Sequence, residues 1–585
     1  MHLNEEERPL LSGGNSSLTQ YVPLAKSFDA GTVGPADYGA VSGYKANEIE
    51  EASGATGSEN VPQSRRKRVI IVGAGVSGIQ QAAIILKDGE VKRDDLQIFD
   101  ALDDFGGTWL KNSYPGCACD APAMVYTTSF EINKEYTHYF ATREEIQDYY
   151  KRFADKYELK RSTQFGKFVK TCTWSDEDMI WNVGVQDKVT GILEHWIADV
   201  VIQCVGALDR PKFGNTPGRS NYKGTSWHTA HWRFDYDLTG KNVAVVGCGP
   251  SAAQIIPEIV DKTKSLSVYM RTPPVCTARG DFAYSRLFRW ALKWVPLFAW
   301  LQRFWECNEM GASVAMSTDN DPLNDSMTKA AIDYMESEIK DPKLREILRP
   351  HSKYFCKRPL RLDNFYSSLA KPHVTTLRDN LIRYTEEGIV SADCKTGVET
   401  ERKFDVIIYG TGFNTSKHLE HERITGINGQ DLQKKWEEHP EALYGLATNG
   451  FPNMFMCFGP NSATLWSSQQ DNWEQQARFN SKVVAEMARR ERKGRKLAIH
   501  PARDVEHAYN LELQKRQNGV FVWARRDCVT YYKNDAGWIT YTMPWTGWQF
   551  KNMLRKIRWH EWISIEKPLV TNSFESKMRA PMELS

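Results

Sequence analysis

Short unbroken apolar runs, each followed by a glycine-rich turn, recur along this chain. Val69-Ile70-Ile71-Val72 is apolar throughout, as a parallel strand buried on both faces requires. A glycine turn follows at once, then a helical stretch from Ile79 to Leu86, then a second strand from Leu96 to Phe99. The same order returns later: Val243-Ala244-Val245-Val246, a glycine turn, and a strand from Leu266 to Met270. Strand, glycine loop, helix and strand, twice over, predict an α/β fold with two Rossmann-like dinucleotide-binding domains.

The remaining pattern fills in the domains. Thr142-Arg143-Glu144-Glu145 is a capping box opening a helix with Ile146, Tyr149, Tyr150 and Phe153 on one face. Alternation from Trp174 to Val185 reads as a hairpin, and Val200 to Val205 as a buried strand ending in Gly206. Between about 282 and 348 the pattern is helical and irregular, an insertion in the second domain. Phe404 to Tyr409 is a further strand, ending in Gly410-Thr411-Gly412. Its distance in sequence suggests that here the chain returns to complete the first domain. The expected organisation is a disordered tail over 1–64, the first part of one domain over 65–215, an inserted domain over 216–385, the second part of the first domain over 386–565, and a tail over 566–585. The basic Ser64-Arg65-Arg66-Lys67-Arg68 reads as a solvated lead-in to the first strand.

Composition narrows the class. The 585 residues exceed one core, and hydrophobics at 41% with aromatics at 12% supply packed domains. A net charge of +2 gives no reason to expect nucleic acid as a partner. No run of 18 apolar residues is present, so no membrane-spanning helix is expected. Met1 to Leu10 lacks a signal-peptide pattern, and Met582-Glu583-Leu584-Ser585 is not a peroxisomal address. The 11 scattered cysteines read as reduced thiols in a cytoplasmic setting.

The two glycine loops differ in the residue at the end of the next strand. The first loop is Gly73-Ala74-Gly75-Val76-Ser77-Gly78, the second Gly247-Cys248-Gly249-Pro250-Ser251-Ala252. In each, the first glycine permits the tight turn, the second admits the pyrophosphate to the backbone, and the third position must be small for helix–strand packing. The pyrophosphate then lies on a helix N-terminus. Asp100 ends the strand after the first loop, 22 residues beyond Gly78; Arg271 comes after the second, 19 beyond Ala252. An acid suits two free ribose hydroxyls, whereas an arginine fork suits a 2′-phosphate. The pair reads as one site for FAD and one for NADPH, and hence as a redox enzyme.

Further motifs carry a resemblance. Gly106-Gly107-Thr108-Trp109, then Asn112-Ser113-Tyr114-Pro115-Gly116-Cys117-Ala118-Cys119-Asp120 and Tyr126, resemble the Baeyer–Villiger monooxygenases. So does Tyr222 to Trp232, where the family pattern F-x-G-x-x-x-H-x-x-x-W keeps Gly224, His228 and Trp232 with Tyr222 in place of phenylalanine. Arg271-Thr272-Pro273, Cys356-Lys357-Arg358-Pro359, Gly410-Thr411-Gly412-Phe413 and Phe451-Pro452-Asn453 extend the likeness over roughly 67–560. The style is similar to the fungal secondary-metabolism branch.

The resemblance implies an enzyme that reduces FAD with NADPH and uses dioxygen to insert one oxygen beside a ketone carbonyl, giving an ester or lactone. A fixed cation would stabilise the flavin-bound peroxide anion in a site closed to water. The family arginine for this role matches Arg358, and the aspartate that contacts it matches Asp120. FAD binding falls to Gly73, Gly75, Ser77, Gly78, Asp100, Gly107, Thr108, Trp109, Asp120 and Tyr126. NADP binding falls to Ala118, Cys119, Gly247, Gly249, Ser251, Ala252, Gln254, Arg271, Thr272, Lys357 and Tyr531. Gly224, His228 and Trp232 belong to the linker, His228 for domain coupling and not acid–base chemistry. No metal is implied, since His228 and His231 lack a completing ligand set. One departure stands out: Cys528-Val529-Thr530-Tyr531-Tyr532 replaces a family Ser-Trp-Tyr, so Tyr531 stands at the tryptophan that contacts the nicotinamide ribose.

The implied partners are dioxygen and a small lipophilic ketone, a terpenoid or polyketide intermediate. Three other readings stay open: nitrogen or sulfur oxygenation by the same flavin chemistry, an NADPH-sensing or electron-transfer flavoprotein, and a disulfide reductase using Cys117-Ala118-Cys119. The one-residue spacer argues against the last. The aromatic, basic stretch from Leu287 to Trp305 leaves a peripheral membrane contact open, although Pro296 breaks any long helix and packing as a core or substrate loop is the plainer reading.

Overall fold

The apolar run at Val69 lies in strand β1, Arg66–Val72, whose last four residues are buried. Gly73 turns the chain at φ 108° into helix α1, Val76–Asp88, which ends at left-handed Gly89. Strand β2, Leu96–Asp100, then runs parallel to β1 with Val72 opposite Phe99. The computed structural model describes residues 61–569 apart from Ala312, Ser416 and Trp466. Most of the expected N-terminal tail and most of the C-terminal one lie outside the described residues.

The first sheet has eight strands. β1 is flanked by β2 and by Leu193–Gln203, with Thr163–Phe165 beyond β2 and Met454–Met456 beside Leu193–Gln203, all parallel. The alternating segment forms the expected hairpin, Lys167–Ser175 against Ile180–Asp187, with Arg423–Thr425 at its outer edge. The long helix Gln469–Glu491 covers α1, joined by buried amides: Gln80 Nε2 donates to Gln470 at 3.1 Å and Asn480 Nδ2 to Gln81 at 2.7 Å. The capping box at Thr142 is formed, and Ile146, Tyr149, Tyr150 and Phe153 of the helix Arg143–Lys156 are buried. Such a cap contributes about 1 kcal/mol.

The second sheet has five strands, all parallel. β3, Asn242–Val246, leads through helix α2, Pro250–Ile259, to β4, Ser265–Tyr269. Val374–Leu377 lies beyond β4; Val406–Tyr409 and Thr225–His228 lie on the other side of β3. This corrects the expectation for Phe404 to Tyr409. That strand pairs with β3 and with Thr225–His228, so it completes the second sheet and not the first. The chain rejoins the first sheet only at Arg423–Thr425 and Met454–Met456, which moves the boundary from 385 to beyond 409. The late boundary moves too, since Trp562–Pro568 pairs along its whole length with Arg495–Pro501.

The helical insertion forms α3, Arg286–Trp294, and α4, Phe298–Gly311, with shorter and longer helices continuing to Leu348. Pro296 lies in the break between α3 and α4.

Candidate active site

The first loop is shaped by what cannot fit there. A Cβ at Gly78 would stand 1.9 Å from the Gly73 carbonyl oxygen, and one at Gly73 would meet the Cys204 carbonyl at 2.5 Å. A Cβ at Gly107 would stand 2.7 Å from Gly75 Cα, so the two backbones meet where the short helix Thr108–Lys111 begins. Ser77 is buried in the first turn of α1. Asp100 accepts from Ala74 N at 2.6 Å and from Leu102 N at 2.7 Å. Burial pushes its carboxyl up, against those two hydrogen bonds. A carboxylate has lone pairs beyond the two used, so ribose hydroxyls remain compatible with it. Trp109 Nε1 donates to the Tyr126 hydroxyl at 2.8 Å, and Arg143 Nε donates to the Trp109 carbonyl at 2.7 Å.

The second loop has the same build with more room. A Cβ at Gly247 would stand 2.3 Å from the Gly410 carbonyl oxygen, yet nothing lies within 4 Å of one at Gly249. Ala252 packs against Gly410, where a Cβ would meet its own at 2.6 Å. Ser251 lies in the first turn of α2, behind Pro250. Arg271 is exposed just past β4, and Thr272 O accepts from Cys248 Sγ at 3.2 Å. Lys357 stands near both Cys248 and Arg271: burial lowers its pKa most, Cys248 opposes, and Arg271 lowers it further. Neither cation has an ion-pair partner among the described residues. Two unopposed cations beside a glycine loop fit a 2′-phosphate.

The two units meet through α2. Gln254 accepts from the Tyr114 hydroxyl at 2.9 Å and donates from Nε2 to the Ala118 carbonyl at 3.0 Å. Cys119 N bonds Ala141 O at 3.0 Å, so Asp120 leaves a pinned segment. Arg358 then grips Asp120 with a parallel fork, Nε to Oδ2 at 2.6 Å and Nη2 to Oδ1 at 2.5 Å. The positions are 238 residues apart. The Arg358 side chain keeps 42% of its exposure, so it has room for a second anion. The Asp120 charge holds the guanidinium well above its ordinary value against the cost of burial. For Asp120, burial pushes upward, but the Arg358 charge and hydrogen bonds prevail and its pKa is lowered.

Tyr531 and Tyr532 flank this pair. Burial raises both phenols, opposed at each by the Arg358 charge, and the rings sit 4.5 Å apart. The expectation of reduced cysteines needs correction here. Cys356 and Cys528 form a disulfide across 172 residues, with Cα atoms 5.6 Å apart. It ties the segment carrying Lys357 and Arg358 to the loop carrying Tyr531. Cys117 and Cys119 are free, and burial pushes their thiols up to about 11 and about 12. That is the reverse of a reactive thiolate, so the reductase reading falls.

The linker residues lie in and on either side of the edge strand of the second sheet. His228 ends the strand Thr225–His228, is buried, and accepts from Ala230 N at 3.1 Å through Nδ1. Burial, then repulsion from His231, lowers its pKa to about 4, so it is neutral near pH 7. Phe213 and Phe413 approach its ring edge-on at 5.6 Å. A Cβ at Gly224 would stand 2.2 Å from the Tyr222 hydroxyl, which donates to Phe404 O at 2.9 Å. Trp232 meets Trp227 edge-to-face at 5.7 Å. Sequence reasoning did not single out Tyr114, Tyr532 or Arg279, whose Nη2 reaches Cys119 O at 3.3 Å. The only signal for Tyr114 was its place in the quoted motif, and Arg279 had none.

An oxidoreductase that brings a flavin and a nicotinamide to one junction is the class this arrangement defines. The FMO-like, flavin-binding monooxygenase-like family model matches residues 66–435, and the chain belongs to that family. It is a flavin monooxygenase, with FAD and NADP as its cofactors. FAD-binding monooxygenase BOA2 of Botryotinia fuckeliana is 32% identical over 511 residues, covering 87% of this chain and 96% of that protein. A Baeyer–Villiger monooxygenase of Pseudomonas aeruginosa is 32% identical over 519 residues, covering 88% and 95%. Among solved structures, closed cyclohexanone monooxygenase aligns with TM-score 0.74 at 22% identity, over 86% of this chain and 100% of that one. OTEMO in complex with FAD and NADP aligns with TM-score 0.74 at 22% identity, over 85% and 99%. At that identity the structural likeness establishes the fold.

Proposed function

We propose that the chain is a Baeyer–Villiger monooxygenase that inserts one oxygen atom of O2 beside the carbonyl of a lipophilic ketone. The ketone is a terpenoid or polyketide intermediate of secondary metabolism; the fungal relatives from Botryotinia fuckeliana and Aspergillus niger support that setting. The observation that carries the reading is the forked Arg358–Asp120 contact at the junction of the two nucleotide units.

In this reading Gly73, Gly75, Ser77 and Gly78 receive the FAD pyrophosphate on the N-terminus of α1, and Asp100 receives the ribose. Gly107, Thr108, Trp109 and Tyr126 wall that cofactor. Gly247, Gly249, Ser251 and Ala252 do the same for NADP, with Arg271, Thr272 and Lys357 on the 2′-phosphate. Ala118, Cys119, Gln254 and Tyr531 line its nicotinamide end. Bound together, the cofactors supply the electrons and the oxygen activation.

The protein supplies a fixed charge. Arg358 is held so far above neutrality that it keeps its protons throughout, so it acts as a permanent cation and not as an acid. Asp120 holds the guanidinium plane in one orientation, leaving its remaining edge for the developing negative charge. His228, neutral and enclosed, couples the sheets and takes no part in proton transfer. A heteroatom oxygenase has less need of such a cation, which favours the ketone reading. Incubation of the FAD-loaded protein with NADPH and a panel of polycyclic ketones, amines and sulfides, read by mass spectrometry, tests it. Ester or lactone products from ketones are expected; products from amines or sulfides alone overturn it.

A further inference from the structure

Helices α3 and α4 present an apolar surface that the oxygenation chemistry does not use. From Phe282 to Trp305 the sequence holds four tryptophans, four phenylalanines, four basic residues and no acid. Leu287, Trp290 and Trp294 recur at helical spacing on α3 and are 74%, 55% and 65% exposed. Leu297 precedes α4, where Trp300 and Trp305 continue the outward face at 50% and 64% exposure. The opposite faces are packed: Leu292, Ala299, Arg303 and Glu306 are buried.

The hairpin is anchored and not loose. Arg303 donates to the Thr127 carbonyl at 3.0 Å through Nη2 and pairs with Asp471. Glu306 accepts from Gln302 at 2.9 Å, and Phe282 stacks on Tyr139 with centroids 5.1 Å apart. The outward tryptophans are therefore held exposed by a rigid base, against the usual cost of leaving apolar area in water.

Charge indicates what covers them. Arg286, Arg289 and Lys293 line a recess on α3 together with Lys134, Glu135 and Trp290. Its one carboxylate, Glu135, is paired with Lys293 at 2.9 Å. A basic recess next to exposed tryptophans has the makeup of an interfacial membrane anchor: phosphate headgroups on the cations, indoles at the headgroup–acyl boundary. Neither helix is long and apolar enough to span. We propose that α3 and α4 dock the enzyme on an anionic phospholipid surface, lying in the plane of the headgroups. The base of α4 bonds to Thr127, directly after the segment that carries Asp120 and Tyr126, so docking sets the wall of the active site against the membrane. The inference does not depend on the ketone reading.

Flotation of the full-length, FAD-loaded protein with vesicles tests this, using phosphatidylcholine alone and phosphatidylcholine with about one-third phosphatidylglycerol. Binding is expected on the anionic vesicles, weakened by salt. Arg286→Glu with Arg289→Glu lowers the partition coefficient about tenfold or more, since each basic residue near the surface contributes about fivefold. Trp290→Ser with Trp294→Ser lowers it about tenfold on the same vesicles. Retained flavin absorbance and thermal midpoint show that the variants fold; should the tryptophan variant not fold, the charge reversal on exposed arginines decides alone. No flotation on anionic vesicles, flotation untouched by the arginine changes, or a stable dimer in light scattering that masks the tryptophans, would each overturn the proposal.

Discussion

Replacing Arg271 with alanine asks how the protein chooses its nicotinamide cofactor. Arg271 and Lys357 stand together beside the second glycine loop, with no carboxylate neutralising either among the described residues. A charge-assisted hydrogen bond contributes about 1.5–3 kcal/mol. Arg271 is exposed, so water screens it and the lower end applies. At about 1.4 kcal/mol per factor of ten, kcat/KM for NADPH falls roughly 10- to 20-fold in Arg271→Ala. NADH has no 2′-phosphate and should change by less than about twofold. Lys357 limits the loss. Burial holds its amine down most and Arg271 lowers it further, so removing Arg271 relieves a repulsion on Lys357, which faces the same phosphate. Arg271→Ala with Lys357→Met therefore loses more than the two single losses added together. Initial rates of NADPH and NADH oxidation across a concentration series measure all of this. An unchanged NADPH-to-NADH ratio in Arg271→Ala, or a parallel fall for NADH, refutes the assignment.

Three further outcomes rest on the geometry. Gly249→Ala should keep the thermal midpoint, since nothing lies within 4 Å of the added Cβ, while raising KM for NADPH; Gly247→Ala, facing the Gly410 carbonyl at 2.3 Å, should lower the midpoint itself. His228 titrates near 4 in the folded protein and near 6.5 unfolded, so the unfolded chain binds the extra proton. Its contribution is full above pH 6.5 and falls by about 1.4 kcal/mol per pH unit down to about 4, so denaturant melts of His228→Gln should show a shallower acid loss than the parent. Glu306 has the opposite sign: burial lifts its carboxyl to about 7, so packing of α4 weakens as pH rises from about 4.5 to 7. Protection of the α4 amides, measured relative to the base-catalysed intrinsic exchange rate, should be lower at pH 8 than at pH 6, and Glu306→Gln should abolish the difference.

Local features were readable in the sequence, and long-range assignments were not. Both glycine loops, their strands and the residues at the strand ends lie within single βαβ units, where spacing carries the information. The capping box at Thr142 and the hairpin at Trp174 are equally local. Phe404 to Tyr409 reads correctly as a strand, but its sequence position points to the wrong sheet. An all-apolar strand carries no mark of its neighbours, because every central strand of a covered parallel sheet is apolar on both faces. The Cys356–Cys528 pairing escaped for a related reason: at 172 residues apart, spacing says nothing about approach. Asp120 and Arg358 came from the family resemblance alone, and their forked contact, like the bridge made by Gln254, appears only once the chain is folded.

In the proposed mechanism Arg358 supplies the charge for oxygen insertion and has no part in electron supply. Arg358→Ala, loaded with FAD and given NADPH, oxygen and an accepted ketone, separates the two roles when NADPH consumption and oxygenated product are counted together. Loss of one preorganised charge donor costs about 100- to 1,000-fold in the step it serves. NADPH oxidation is expected to continue while product falls by about that factor and the electrons are recovered as hydrogen peroxide. Product formed at the parent's rate per NADPH consumed would contradict the mechanism.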